Sequence, residues 1–145
     1  MKFKSRVDLL HKIIVLGTVL LMLATVIFIW IDNSENIAVN IWATVICLAS
    51  STFLISIYTQ TNYEIDSEFF HYQSGPIKGK LPIQQIREID VNRTLWMGTL
   101  KPATALKGLI IKYNKYDEIY ISPKTNESFV AEILKLNPEV KINRL

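Results

Sequence analysis

Cysteine is nearly absent from this chain: Cys47 stands alone, so no internal disulfide can brace the fold. It lies within an apolar run, where a thiol behaves as a small apolar residue. Metal-ligand spacing is missing as well. The histidines His11 and His71 are far apart, with neither a His-x-x-x-His pair nor a Cys cluster beside them. There is no Gly-x-Ser-x-Gly and no Cys/His grouping, so nucleophilic catalysis has no recognisable apparatus. Gly75 followed by Gly79-Lys80 has the wrong spacing for a phosphate loop, and Pro76 removes an amide donor. The reading is therefore non-enzymatic, with no metal and no cofactor. A net charge of only +3, spread among both signs, also argues against a nucleic-acid partner.

Asp, Glu, Lys, Arg and His are all missing from two further stretches, Ile13 to Ile31 and Ile37 to Tyr58. As helices these reach roughly 28 and 33 Å, against about 30 Å for a bilayer's hydrocarbon core. They predict two membrane spans. The linker Asp32-Asn33-Ser34-Glu35-Asn36 leaves room only for a tight reversal, so the spans form a hairpin. A cleaved signal peptide fits less well: the first run is too long, and no Ala-x-Ala-like site follows Phe28-Ile29-Trp30-Ile31. The lack of an intramembrane ionisable group argues against transport or a proton relay.

Basic residues set the orientation. Lys2, Lys4, Arg6 and Lys12 precede the first run, whereas the linker holds two acids and no cation. This predicts a cytoplasmic basic amino terminus over residues 1–12 and spans at 13–31 and 37–58. An external loop at 32–36 and a cytoplasmic domain at 59–145 complete the division, and the whole belongs in the plasma membrane. Trp30, Trp42 and Tyr58 fall where interfacial aromatics belong, and Tyr63 lies just beyond. Small residues recur at Ala43, Cys47 and Ser51, with Gly17 and Ala24 offering a comparable face on the first run. Such stripes let helix backbones approach closely, here within the hairpin or in a homo-oligomer.

After Gln60 the pattern becomes alternating. Tyr63 to Asp66 and Phe69 to Gln73 read as one β-hairpin, with a short strand near Lys78 to Leu81 beyond Gly75-Pro76. Pro82 to Ile86 suggests a single helical turn, and Glu88 to Asn92 another strand. Leu109 to Tyr113 and Glu118 to Ile121 flank Asn114-Lys115-Tyr116-Asp117, a second hairpin. Ser122-Pro123 reads as a helix start, with Ser122 as the capping hydroxyl. Phe129, Val130, Ile133, Leu134 and Leu136 form the helix's apolar face, and Asn137-Pro138 ends it. Val140 and Ile142 can add a last extended contact. The fold class is a membrane α-helical hairpin plus α+β, the latter a small antiparallel sheet or partial barrel with one carboxy-terminal amphipathic helix.

Three segments carry a family resemblance. They are Tyr63-x-Ile65 with Gly75 to Ile89, the run Ala105 to Tyr113, and Ile119-Tyr120-Ile121-Ser122-Pro123 with Phe129, Ile133 and Leu134. Together they resemble the bacterial PH-like domain of YyaB-like proteins, over about residues 60–142. The resemblance implies a PH-like sheet with a carboxy-terminal helix, often preceded by membrane spans, and no established catalytic residue. Many members have a Ser and an acidic-Arg pair after the Ala-Leu step, where this chain has Lys107-Gly108. PH domains that grip phosphoinositides cluster cations after the first strand; Asp66-Ser67-Glu68 stands at that place here.

Binding is the function class left. The stretch around Arg93, Trp96, Met97, Leu100 and Lys101 reads as a loop that meets lipid or a protein partner, unless Trp96 and Leu100 fold back onto the core. The leading expectation is a membrane-anchored binding or scaffolding domain whose partners are the bilayer and another membrane or cytoplasmic protein. The second, implied by similar membrane proteins, is self-protection against a bacteriocin or other antimicrobial peptide.

Overall fold

A computed structural model describes residues 1–31, 36–95 and 100–144. The reversal expected at 32–36 therefore lies mostly outside the described residues, and Trp96 and Met97 lie wholly outside them. Strand β1 (Lys2–Lys4) precedes two long helices, α1 (Leu9–Ile31) and α2 (Ile37–Thr59). Both helices are long and apolar enough to cross a membrane, with mean hydropathy 2.8 and 1.8.

α1 and α2 pack on each other along one seam. On α1 the half-buried positions include Val15, Met22, Val26 and Ile29, while on α2 Ala43, Cys47 and Ser51 face inward. Ser51 Oγ lies 3.4 Å from Met22 Sδ, and the Trp30 indole donates to Thr44 Oγ1 at 3.0 Å. Gly17 and Ala24 are exposed instead, and a Cβ built on Gly17 would meet nothing within 4 Å. The half-buried α1 positions are bulkier side chains spaced seven, four and three residues apart, and Gly17 and Ala24, offered for packing within the hairpin or in a homo-oligomer, lie off that seam. Threonine hydroxyls are satisfied inside their own helices, as where Thr18 donates to Ile14 O and Thr52 to Leu48 O, both at 2.8 Å. The outer surfaces are apolar and uncovered, with Phe28 67% and Trp42 68% exposed. Such surfaces require hydrocarbon around them or a large partner.

Beyond α2 the chain forms β2 (Thr61–Ile65), β3 (Phe69–Ser74), β4 (Ile77–Pro82), a 3₁₀ turn (Ile83–Gln85) and β5 (Ile86–Arg93). Then come β6 (Gly108–Tyr113), β7 (Asp117–Ile121), α3 (Asn126–Leu136) and β8 (Lys141–Arg144). Two four-stranded sheets result, ordered β1-β2-β3-β4 and β7-β6-β5-β8. They do not close into a barrel. β8 pairs parallel with β5, so the second sheet is mixed rather than antiparallel throughout. The turn, both hairpins and the late extended contact fall where alternation and turn chemistry predict them.

Alternation also sets the core. Thr61, Tyr63 and Ile65 of β2 are buried while Asn62 and Glu64 face outward or sit half-exposed. One apolar cluster draws Tyr63, Phe70 and Leu81 from the first sheet and Ile89, Leu109, Ile111 and Ile119 from the second. α3 closes it with Phe129, Val130 and Ile133. At Gly108 a Cβ would lie 2.1 Å from the Ile121 carbonyl oxygen, so the start of β6 lies beside the end of β7 only with glycine there. That close approach accounts for Gly108 in this chain.

Two expectations are corrected near the helix. α3 starts at Asn126, and Ser122 does not cap it; Thr125 stands at the cap position without a side-chain bond. Residues 122–124 are instead bonded to the amino terminus. Arg6 N–H donates to Ser122 O at 2.7 Å, and Lys124 N–H donates to Lys4 O at 3.0 Å. Tyr63, expected as an interfacial aromatic, is 1% exposed and belongs to the core.

Candidate functional site

The basic flank before α1 is part of the sheet domain. β1 pairs antiparallel with β2, matching Lys2 to Glu64, Phe3 to Tyr63 and Lys4 to Asn62. The next residues bridge to two more segments, Ser5 to Pro123 and Val7 to Thr104. Asp8 finishes the strap: its N–H donates to Thr104 O at 3.2 Å, and its Oδ2 accepts from Leu106 N–H at 2.6 Å. Sequence reasoning read residues 1–12 only as charge. The sole signal for a strand was the alternation Lys2-Phe3-Lys4, too short to weigh.

Under the strap lies a buried hydroxyl network. Ser5 Oγ is 2.8 Å from Thr104 Oγ1, 2.9 Å from Ser122 Oγ and 3.1 Å from the Tyr63 hydroxyl. Tyr63 donates to Pro102 O at 2.5 Å and accepts from Ser122 N–H at 3.1 Å. Burial pushes the Tyr63 phenol above its ordinary pKa of 10, so it stays a donor. Among the described residues these hydroxyls bond to one another and to backbone groups, which ties the strap to β2 and to residues 102–122. Tyr63→Phe is expected to cost about 1–3 kcal/mol, because it strands Pro102 O and Ser122 N–H in the interior. Urea unfolding should show the lower midpoint with an unchanged slope.

The strap delivers the chain to α1 beside a groove of about 290 Å³. Leu10, His11 and Ile14 of α1 line one side, and Leu95, Lys101, Ala103 and Leu106 the other. His11 also stacks on Tyr58, with centroids 6.4 Å apart and planes within 8°, which ties the foot of α1 to the end of α2. Of the expected contact loop, Lys101 lines this groove while Leu100 is half-buried against the core. Arg93 ends β5 and lies 3.9 Å from Asp90. Among the described residues of that stretch, Arg93, Leu100 and Lys101 thus have different surroundings.

Two acids of the sheet domain are occupied. Asp90, 2% exposed, accepts from Asn143 Nδ2 at 2.8 Å and pairs with Lys112 at 3.0 Å. Burial raises the Asp90 pKa, but those hydrogen bonds and cations outweigh it and hold the carboxyl below its ordinary range. Asn143 lies on β8, so this cluster fastens the parallel strand to β5. In the β2–β3 turn, the backbone N–H groups of Phe69 and Glu68, with His71 at 2.7 Å, lower the Asp66 carboxyl to about 2. Asp66 therefore acts as a turn cap. No group of three or more His, Cys, Asp or Glu able to hold a metal occurs among the described residues.

Comparison with known families finds the bacterial PH domain over residues 61–137. The chain belongs to the bacterial PH domain family. The match does not reach the YyaB-like grouping within it. No curated protein and no solved structure matches the chain. The matched span opens with β2 and stops just past α3, so both long helices, the strap with β1, and β8 lie outside it. PH domains are typically binding modules rather than catalysts.

Proposed function

We propose that this chain is a two-span membrane protein whose helical hairpin holds a non-catalytic PH domain against the cytoplasmic face of the plasma membrane, where it binds or scaffolds. The observation that carries the reading is the β1–β2 pairing. β1 precedes the first apolar helix and β2 follows the second, yet they are hydrogen-bonded neighbours. If both helices cross the bilayer, their outer ends share one side and both chain ends share the other. The four cations at the amino-terminal end put that second side in the cytoplasm.

The pairing also argues against removal of the first helix as a leader, since cleavage would take β1 and Ser5 out of the fold. Short connections matter for what the domain can do. The strap bonds directly into the sheet before α1 begins, and Thr61 Oγ1 donates to Ile57 O at 2.6 Å where α2 gives way to β2. The domain is therefore braced at two points, and its partner must approach a surface of set orientation.

Topology is tested with reporters fused after Leu145 and ahead of Met1. Both are expected to be active only in the cytoplasm. Activity of either outside the cell would refute the arrangement, as would recovery of the chain in the soluble fraction after lysis without detergent.

A further inference from the structure

The turn between β3 and β4 is fastened to the carboxy-terminal end of α2. Gly75 N–H donates to Gln60 O at 3.3 Å, and Ser74 Oγ lies 3.0 Å from Thr61 Oγ1. Gly75 takes a φ of +56°, and a Cβ there would sit 3.0 Å from Ile57 N, so the turn packs against the last turn of the helix. Ile57 is one residue inside the uncharged run that stops at Tyr58, which sets the turn level with the edge of the hydrocarbon if α2 spans the bilayer. Pro76 and Ile77, next in the chain, are exposed. Among the described residues past α2, the exposed large aliphatic side chains are Ile77 at 47% and Leu106 at 39%. Leu106 lines the groove at the foot of α1, so both stand beside helix ends.

Charge follows the same edge. Lys4, Asn62, Gln73 and Lys78 stand opposite one another in register, forming one row across the outer face of the first sheet. This row is at the strand ends next to the helices, since β1 leaves it toward α1 and β2 enters it from α2. Lys4 and Lys78 are exposed, and neither has a hydrogen-bond or ion-pair partner among the described residues. The row holds no acid. Glu64 stands in the next row, opposite His71 and 3.7 Å from Lys2, while Asp66 and Glu68 are in the turn at the far end of the strands.

Resting on the membrane-anchored reading, we infer that this edge of the PH domain is itself a lipid contact. Pro76 and Ile77 enter the headgroup layer beside α2, and Lys4 and Lys78 face anionic headgroups of the same leaflet. The occupant is the bilayer surface, because the apolar exterior of α2 brings that surface up to the turn packed on Ile57. Each lysine near an anionic leaflet adds about 1 kcal/mol of attraction, and no acid in the row offsets it. The contact fixes which face of the domain is turned to lipid and leaves the β2–β3 turn, with Asp66 and Glu68, pointing toward the cytoplasm.

Quenching by nitroxide-labelled lipids, with the full-length chain in vesicles, tests this. A Cys47→Ala background carries a fluorescent label at one of three exposed positions: Ile77→Cys, Leu20→Cys on the outer surface of α1, or Tyr116→Cys. Tyr116 lies in the β6–β7 turn, where Asn114 bonds to Gln85 past the far end of β4. In vesicles of phosphatidylglycerol and phosphatidylcholine, headgroup-level nitroxides should quench the label at position 77 about fivefold more than that at 116. Acyl-chain nitroxides should quench the label at position 20. Lys4→Glu combined with Lys78→Glu, or vesicles of phosphatidylcholine alone, should lower quenching at 77 about threefold, whereas Lys115→Glu leaves it unchanged. Equal quenching at 77 and 116 would overturn the contact, as would quenching at 77 that ignores either the two lysines or the lipid charge. Quenching at 20 in those cases keeps the anchored reading, and its loss removes anchor and contact together.

Discussion

Deleting residues 1–8 while keeping α1 and all that follows is expected to destabilise the PH domain by on the order of 5 kcal/mol, most of the stability of a typical small domain. Three losses combine. Phe3 leaves the core, where its ring meets Phe129 edge-on at 5.2 Å; removing a packed aromatic costs about 3–5 kcal/mol when fully buried, and somewhat less for this half-buried one. β2 becomes an open edge beside Tyr63. Ser5 no longer meets Tyr63, Thr104 and Ser122, which leaves buried hydroxyls short of partners at about 1–3 kcal/mol. The domain cut free at residue 60 should then bind a hydrophobic dye and melt without cooperativity. Joining residues 1–8 to it through a short Gly/Ser linker should restore a cooperative transition. A sharp, unchanged melt for the cut domain alone would show that the strap is dispensable.

Phe129→Ala is expected to cost about 3–5 kcal/mol. Phe129 is fully buried and is the ring on which the aromatic core converges, with Phe70 at 5.2 Å and Tyr63 at 6.5 Å as well as Phe3. Its loss opens a cavity bounded by both sheets and the strap, which backbone pairing on every side keeps from collapsing. Phe129 also seats α3, so hydrogen exchange should quicken in α3 and in β1 together. A urea midpoint lowered by less than about 1 kcal/mol equivalent would mean that the core repacks around the gap.

Strands and helices were legible where a local repeat recorded them. Tyr63 to Ile65, Phe69 to Gln73 and the two strands around Asn114-Lys115-Tyr116-Asp117 alternate cleanly, because each buries one face. The helix over Phe129 to Leu136 was equally plain from its spacing. Ser122 misled for a physical reason: a hydroxyl before proline favours a helix start, but its bonds were claimed by Ser5, more than a hundred residues earlier in the chain. Gly17 and Ala24 lie off the α1–α2 seam, and a small-residue stripe marks a close approach only where another helix faces it. Of the contact-loop residues, Lys101 does line a groove, yet nothing local indicated that α1 would supply the other wall.

By itself the sequence determined the uncharged apolar lengths of α1 and α2, the charge asymmetry around them, and the alternating and helical periods of the PH domain. These are properties of consecutive residues, so they survive without knowledge of what packs on what. Only the tertiary structure decided that residues 1–8 are a strap, that Tyr63 belongs to the interior and that a groove forms at the foot of α1. Each depends on pairing between segments separated by both long helices, and such pairing leaves no repeat in either segment.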